Sequence, residues 1–212
     1  MPKTIAIALA SSKGGQMRST LAACLAVKAM KDGRVAVIDW EPQGSLSIWW
    51  RLRGKPSNPH LHISQGGDLA KDVAELKAEG YQTIIIDTAP MQMEPISRAV
   101  SAADVVVVPT RVGLFDLAGI RPVIGFCKEL KKPFLFVLTG TNPTAAGWPK
   151  LIRDAVTVLK KHGAVAAKSV RERAAHISAL PDGKTGSEID SQAATDINAL
   201  WLAIKKQAGA KR

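Results

Sequence analysis

Between Ser11 and Thr20 the chain reads SSKGGQMRST, and three carboxylates follow at strand-like ends: Asp39, Glu41 and Asp87. A loop with paired glycines between a buried strand and a helix can turn successive backbone N–H groups toward a phosphate. The helix N-terminus adds partial positive charge. The hydroxyl of Ser19 stands where such loops hold Mg²⁺, and Asp87, closing the apolar run TIIID, stands where a carboxylate just behind the cation's ligands completes a metal site. A helix cap or turn is the alternative use of Asp87. The usual pattern ends in Gly-Lys-Ser/Thr; here Met17 and Arg18 occupy the Gly and Lys places. Met17 brings a side chain where positive φ is wanted, and Arg18 keeps the charge but as a larger planar fork.

These residues need a frame. Short β-rich runs, TIAIALA (4–10), VAVID (35–39), TIIIDT (83–88), VVVVPT (105–110) and FLFVLT (134–139), alternate with segments of helical period. Weaker strand signals lie at 61–64 and 164–170. Continuous apolar strands point to a parallel sheet covered on both faces. The expected helices run over about Ser19–Asp32, Asp68–Glu79, Glu94–Ala102, Phe115–Leu130, Gly147–His162 and Glu188–Gln207, with Gly33 and Gly163 at C-cap positions. Arg51–His60 reads as an exposed loop. In such a sheet ligands bind beyond the carboxyl ends of the strands, where Ser11–Thr20, Asp39–Gln43, Asp87–Pro90 and Pro109–Arg111 all fall.

Composition sets the context. The 212 residues, 46% hydrophobic and 22% charged, suit one domain spanning 1–212. No apolar run approaches a bilayer span and the N-terminus leads straight into a strand, so a cytoplasmic protein is expected. Cys24 and Cys127 read as buried free thiols, and the four histidines have no metal-ligand spacing. The net charge of +11 can attract nucleic acid or anionic lipid, and nucleic acid is favoured over the alternative of a merely well-solvated surface.

SKGG followed by RST, VIDWEPQGSLSIWW, YQTIIIDTAP and ADVVVVPTRVGLFDLAGI together resemble the ParA/MinD family of deviant Walker ATPases, most of all the small ParA partition proteins. The resemblance covers about Thr4 to Lys206. It implies a three-layer α/β P-loop NTPase fold with a mostly parallel sheet, binding of ATP and Mg²⁺, and a nucleotide-dependent homodimer. It further implies non-specific DNA binding near the nucleoid and a ParB-like centromere-binding partner.

Carried residue by residue, the nucleotide contacts fall on Gly14, Gly15, Gln16, Met17, Arg18, Ser19 and Thr20, and the metal on Ser19, Asp39 and Asp87. Lys13 matches the lysine that reaches the partner's phosphates. Glu41 stands where an Asp orients the attacking water, one methylene longer. Asp87-Thr88-Ala89-Pro90 matches the second switch. Lys13, Arg18 and Glu41 are thus the candidate catalytic residues. Met17, Arg18 and Glu41 all depart from the family pattern, which predicts impaired hydrolysis, since a 1 Å misplacement costs ~100-fold in rate, and leaves impaired nucleotide binding open.

Basic residues gather in the second half: Lys150, Arg153, Lys160, Lys161, Lys168, Arg171, Arg173, Lys184, Lys205, Lys206, Lys211 and Arg212. KSVRERAAHISAL resembles the family's DNA-contacting segment, which makes Arg171 and Arg173 the candidates; a solvated loop pairing with Glu172 is the alternative. Trp49 and Trp50 read as one core residue and one surface residue rather than as a base-stacking pair. The C-terminal INALWLAIKKQAGAKR has the apolar stripe of a MinD-like membrane anchor, yet it aligns with the last packed helix of small ParA proteins and no linker precedes it, so membrane contact is not expected. Two other readings stay open: a degenerate, non-hydrolysing DNA-binding or dimerisation module, and a MinD-like membrane-associated positioning ATPase.

Overall fold

The computed structural model describes residues 4–64, 67–89 and 92–209. Pro90, Lys211 and Arg212 lie outside the described residues.

Strands β1 (Ile5–Leu9), β2 (Val35–Trp40), β3 (His60–His62), β4 (Thr83–Thr88), β5 (Val105–Thr110), β6 (Phe134–Thr141) and β7 (Ala164–Val165) line up in the order β3-β2-β4-β1-β5-β6-β7. The short β8 (Val170–Arg171) pairs with β6, and every pairing is parallel. The strand period of two sorts each run onto two faces. Ala6, Ala8, Ile84, Ile86, Val106 and Val108 pack on one side with α3 (Leu69–Ala78), α4 (Met93–Ala102), α6 (Arg121–Glu129) and α7 (Trp148–Lys160). Ile7, Leu9, Val35, Val37, Ile85, Val105 and Val107 pack on the other with α1 (Arg18–Ala29), α2 (Ser45–Leu52) and α10 (Ser191–Gly209). The result is the expected three-layer α/β fold. Each fully buried Ile or Leu contributes roughly 1.5–3 kcal/mol.

The same periodicity places the acids. Asp39 follows Val35 and Val37 on the α1 face, and Asp87 follows Ile85 there. The register pairs Leu9 with Asp87 and Asp87 with Asp39. Two carboxylates therefore sit side by side at the carboxyl ends of adjacent strands, facing the first turn of α1. Strand order reverses about β1, so the loop after β1 opens at the topological switch point.

Several expected elements divide. The helix expected over Phe115–Leu130 is two, α5 (Leu114–Gly119) and α6, with Ile120 capping both and Pro122 in the first turn of α6. Proline supplies no N–H and is tolerated only at a helix start, so the break falls there. The helix expected over Glu188–Gln207 begins anew at Ser191. A capping box of Thr185 and Glu188 starts α9 (Gly186–Ile189), and extended Asp190 accepts from the Gln192 and Ala193 N–H groups at 2.7 and 2.9 Å. The run 164–170 is not one strand but β7 and β8, and α8 (Ala175–Ser178) and a 3₁₀ turn (Leu180–Asp182) went unread. Arg51 and Leu52 belong to α2 rather than to a loop.

Gly163 is not a left-handed cap: α7 ends at Lys160, and a Cβ at Gly163 would sit 2.6 Å from the Phe134 ring. Gly33, three residues past Met30, the C-cap of α1, does take positive φ (146°). The tightest backbone approach is elsewhere. At Gly183 (φ 65°) an added Cβ would meet Arg53 Cα and N at 2.4 Å. Gly183→Ala must displace backbone and adopt a left-handed alanine. It is expected to cost roughly 2–4 kcal/mol, read as a shifted urea midpoint at constant slope.

Candidate functional site

Arg18 opens α1 and turns its side chain into the fold, 5% exposed. Its Nε donates to the Thr88 carbonyl at 3.0 Å, and one terminal nitrogen donates to the carbonyls of Ser11 (3.3 Å) and Lys13 (2.7 Å). The other faces Glu41 Oε1 at 3.5 Å. A lysine ammonium has three donors at one point, whereas the guanidinium spans the start of the loop, the end of β4 and the Glu41 carboxylate at once. Burial pulls the Arg18 pKa down, with Asp87 and Glu41 pulling it back up.

Glu41 is largely buried. It accepts from Ser19 Oγ at 3.4 Å on one oxygen and pairs with Arg18 on the other. The extra methylene lets it reach back into the loop. Asp39 accepts from the N–H of Ser47 (2.7 Å) and of Glu41 (3.3 Å), so it braces the turn into α2. Asp87 differs from both. It is wholly buried, and among the described residues neither of its oxygens has a hydrogen-bond partner. Burial pushes its carboxyl up to about 7, with Ser19 and Arg18 pulling down and Glu41 and Asp39 adding to the rise. The Ser19 hydroxyl is close enough to lower that value, yet its hydrogen bond goes to Glu41.

Around the loop, Met17 adopts φ 62°, ψ 23°, the left-handed conformation a glycine would take without penalty. The sequence signal was therefore correct about backbone demand, and Met17 meets it at a cost of roughly 1–2 kcal/mol while its side chain packs on the core. Gly15 is also left-handed (φ 72°), and a Cβ added at Gly14 or Gly15 would touch nothing within 4 Å. The outer face of the loop is open. The Gln16 side chain is engaged within the fold: it is buried, its Nε2 donates to Asp116 Oδ1 at 3.0 Å, and its Oε1 accepts from the Arg111 N–H at 2.8 Å. Thr20 is half-buried in the first turn of α1. Lys13 pairs with Asp116 of its own chain at 3.3 Å.

Asp116 is a site residue that sequence reading passed over, while Thr88 and Arg111 lie in the expected strand-end clusters Asp87–Pro90 and Pro109–Arg111. Asp116 lay inside the quoted GLFDLAGI, but nothing in its spacing shows that the fold returns it to the loop after β1.

An open cradle over Gly14–Gly15 and unpartnered Asp87 oxygens fit an anion with a cation beside it. Among the described residues no group of three or more His, Cys, Asp or Glu side chains is arranged to hold a metal. A Mg²⁺ here would depend on phosphate oxygens and water in addition to Ser19, which is the usual manner of Mg²⁺.

The basic candidates separate. Arg173 is 13% exposed at its side chain, bound to Asp196 Oδ2 (3.1 Å) and Gln192 (2.8 Å), while Arg171 is 40% exposed and 3.8 Å from the same carboxylate. The carboxylate they share is Asp196, in α10 and 1% exposed, rather than Glu172. Lys150, Arg153, Lys160, Lys161, Lys168, Lys184, Lys205 and Lys206 are exposed, the first four falling on one side of α7 and its end. Arg173→Ala is expected to cost roughly 2–4 kcal/mol, because Asp196 loses its near partner inside the fold. Arg171→Ala is expected to stay within ~0.5 kcal/mol of the parent. Thermal melts of the two variants side by side measure the difference.

Trp49 is buried, and Trp50 is half-buried with its indole N–H on the Pro59 carbonyl at 2.8 Å. Neither ring is laid open for stacking. In α10 the apolar stripe Ile197, Leu200, Trp201 and Ile204 faces the core. No helix among the described residues is long and apolar enough to cross a membrane. Both cysteines are buried, and neither is in a disulfide.

The sheet order, the loop at its switch point and the acids beside it define a P-loop NTPase fold. No family model matches the chain. Its relatives include the carboxysome-distribution protein A of Gloeobacter kilaueensis, 34% identical over 119 residues covering 53% of this chain and 51% of that one. Its namesake in Halothiobacillus neapolitanus is 24% identical over 93% and 95% of the two chains. The ParA protein of Rhizobium radiobacter is 32% identical over 52% and 50%. The first and third matches thus span about half the length of those relatives. Similar solved structures include apo McdA from Cyanothece (TM-score 0.77, 18% identity, 97% and 100% covered). MinD from Pyrococcus horikoshii complexed with Mg-ADP is another (TM-score 0.75, 20% identity, 99% and 100% covered). The chain thus resembles proteins of the ParA/MinD family in sequence and shares their fold.

Proposed function

We propose that this protein is a nucleotide-dependent positioning switch. It binds Mg-ATP in the Ser11–Thr20 loop, pairs with a second copy across the nucleotide, and in that state holds DNA non-specifically to distribute a cargo. The observation that carries this reading is the convergence of the loop, Ser19 and the unpartnered Asp87 carboxylate at one strand-end crevice. Bound ATP would supply the phosphoanhydride bond. Gly14 and Gly15 offer backbone to its phosphates, Ser19 and Asp87 serve the cation with Asp39 bracing the β2 end, and Lys13 is the residue for a partner's phosphates. Relatives bear the names of carboxysome-distribution and chromosome-partitioning proteins and a similar solved structure that of a plasmid partition protein, so the cargo class extends from DNA carried by a ParB-like protein to a protein compartment.

Hydrolysis is the weakened step. Glu41, the residue for orienting water, is tied to Arg18 and Ser19, and Arg18 must leave the loop carbonyls to meet a phosphate. That same geometry favours a second reading, a switch that binds and releases nucleotide without cleaving it. A membrane-associated switch is disfavoured, because the apolar stripe of α10, Ile197, Leu200, Trp201 and Ile204, is already buried in the core.

The DNA surface is assigned to Arg171 with the exposed bases of α7 rather than to Arg173. The test is ATP-dependent binding to random-sequence duplex DNA over a range of salt. Each phosphate contact removed should lower the log–log salt slope by about 1, so Arg171→Ala reduces it and a combined Lys150/Arg153/Lys160 to Ala variant reduces it further. An ATP-independent slope that neither change moves would refute the assignment.

A further inference from the structure

Lys13 and Arg18, the cations within the phosphate loop, are both committed. Lys13 pairs with Asp116 at 3.3 Å, and Arg18 is spread over the Thr88, Ser11 and Lys13 carbonyls and Glu41. Arg111 follows the last residue of β5, and its main-chain N–H is fixed to the loop through Gln16 Oε1 at 2.8 Å. Its side chain is exposed, and among the described residues the guanidinium makes no ion pair and no hydrogen bond. The group lies against Gly140 of β6. A Cβ built there would stand 3.5 Å from both the guanidinium carbon and Nε. Gly140 takes φ 61°, a conformation that favours glycine, and the missing side chain leaves room for the guanidinium beside the strand.

The order of strands limits what this cation can reach. Asp39 and Asp87 stand at the ends of β2 and β4 on one side of β1, whereas Arg111 and Gly140 stand at the ends of β5 and β6 on the other. Both β4 and β5 border β1, so their ends lie about 10 Å apart. An anion seated on the loop with its cation beside Asp87 meets Arg111 only if it extends across β1. Orthophosphate is too short to do so, and a chain of phosphates is not. We infer that Arg111 is a phosphate-binding residue, taking the end of an extended polyphosphate that lies away from the cation. The inference rests on reading the loop as a phosphate site. A guanidinium with no acid to leave can offer two parallel N–H donors to phosphate oxygens without first breaking a pair, unlike Lys13 or Arg18. Arg111 thus supplies from the β5 side the charge that Arg18, turned into the fold, withholds from the loop.

The test is calorimetric titration of inorganic tripolyphosphate with Mg²⁺ into the full chain, into its Arg111→Ala and Arg111→Lys variants, and into Lys128→Ala. Both changes at Arg111 keep the main-chain N–H, so the bond to Gln16 survives. Lys128, exposed at the end of α6, gives up an equal charge near the amino ends of the strands. Arg111→Ala is expected to bind tripolyphosphate about 10-fold more weakly than the parent, as for one lost charge-assisted hydrogen bond. Lysine should recover part of that loss, because it restores the charge without the fork. Lys128→Ala should stay within about 2-fold of the parent, since distant exposed charges are screened. Mg-ATP should show the same loss at Arg111 as tripolyphosphate; a loss confined to ATP would assign Arg111 to the nucleoside and overturn the inference. Equal losses in Arg111→Ala and Lys128→Ala would reduce Arg111 to a diffuse charge, and parent-like binding by Arg111→Ala would mean that it meets no phosphate. Either overturns the inference while the phosphate site stands. Failure of the parent and every variant to bind either ligand would instead overturn the phosphate reading and the inference with it.

Discussion

Arg18→Ala is expected to lower the stability of the ligand-free protein by roughly 3–5 kcal/mol at pH 8, the usual cost of removing one partner of a buried pair. For a chain of this size that is a fall in melting temperature of roughly 10 °C. The reason is not the 3.5 Å contact to Glu41 alone. The guanidinium also satisfies three carbonyls, of Thr88, Ser11 and Lys13, and its charge acts on a fully buried Asp87. Alanine leaves all of them facing a void. Arg18→Lys keeps the charge but cannot span the same acceptors, and is expected to lose about 1–2 kcal/mol, the worth of one or two hydrogen bonds. An alanine variant within ~0.5 kcal/mol of the parent would show that the guanidinium does not hold the resting loop.

Asp87→Asn is expected to act in the opposite direction. The Asp87 carboxyl sits at about 7 in the fold against an ordinary 3.8, because burial disfavours its charged form. The folded protein therefore binds more protons than the unfolded chain between those values. The stability contributed by the neutral form is fully present below about 3.8 and is lost as pH rises through about 7. With three pKa steps at ~1.36 kcal/mol each, the loss at pH 8 has an upper bound of about 4 kcal/mol. Asparagine stays neutral throughout, so it is expected to stabilise the ligand-free protein by roughly 1–3 kcal/mol at pH 8 and to flatten the decline between pH 5.5 and 8. Urea titrations at several pH values measure this. A carboxylate kept buried and unpartnered at such cost is what a site awaiting a cation would carry. If Asp87→Asn destabilises at pH 8, the carboxylate is already paired and that reading of it fails.

The two effects are linked through Glu41. With Arg18 gone, Asp87 titrates beside Glu41 and Asp39 without a cation, so the penalty of Arg18→Ala should shrink between pH 8 and pH 6 as Asp87 takes up a proton.

What could be read from sequence alone follows from which interactions are local. The continuous apolar runs at 83–88 and 105–110 are buried strands with matching bounds, because a strand covered on both faces leaves no other composition. The demand for a left-handed residue at Met17 and the convergence of Asp39 and Asp87 at strand ends were equally legible, as properties of a loop type and of period-two registers. Boundaries set by single side chains were not: Asp190 restarting α10 and Pro122 dividing α5 from α6 interrupt patterns whose apolar period runs on undisturbed. Nor were partners distant along the chain. The direction of Arg18, the bond from Gln16 to Asp116 and the burial of Arg173 on Asp196 all join residues from separate elements. Charge counting marked Arg173 as a surface cation, while the fold uses it to neutralise an acid inside.

The most direct measurement is calorimetric titration of Mg-ATP into the purified protein beside a Met17→Gly/Arg18→Lys variant. A nucleotide switch with weakened hydrolysis binds ATP in the native sequence with a Kd on the order of micromolar, about −8 kcal/mol, and the variant binds at least as tightly. Binding by the variant alone would contradict the account: Arg18 would then be a plug in the phosphate loop, and any hold on DNA would have to operate without nucleotide.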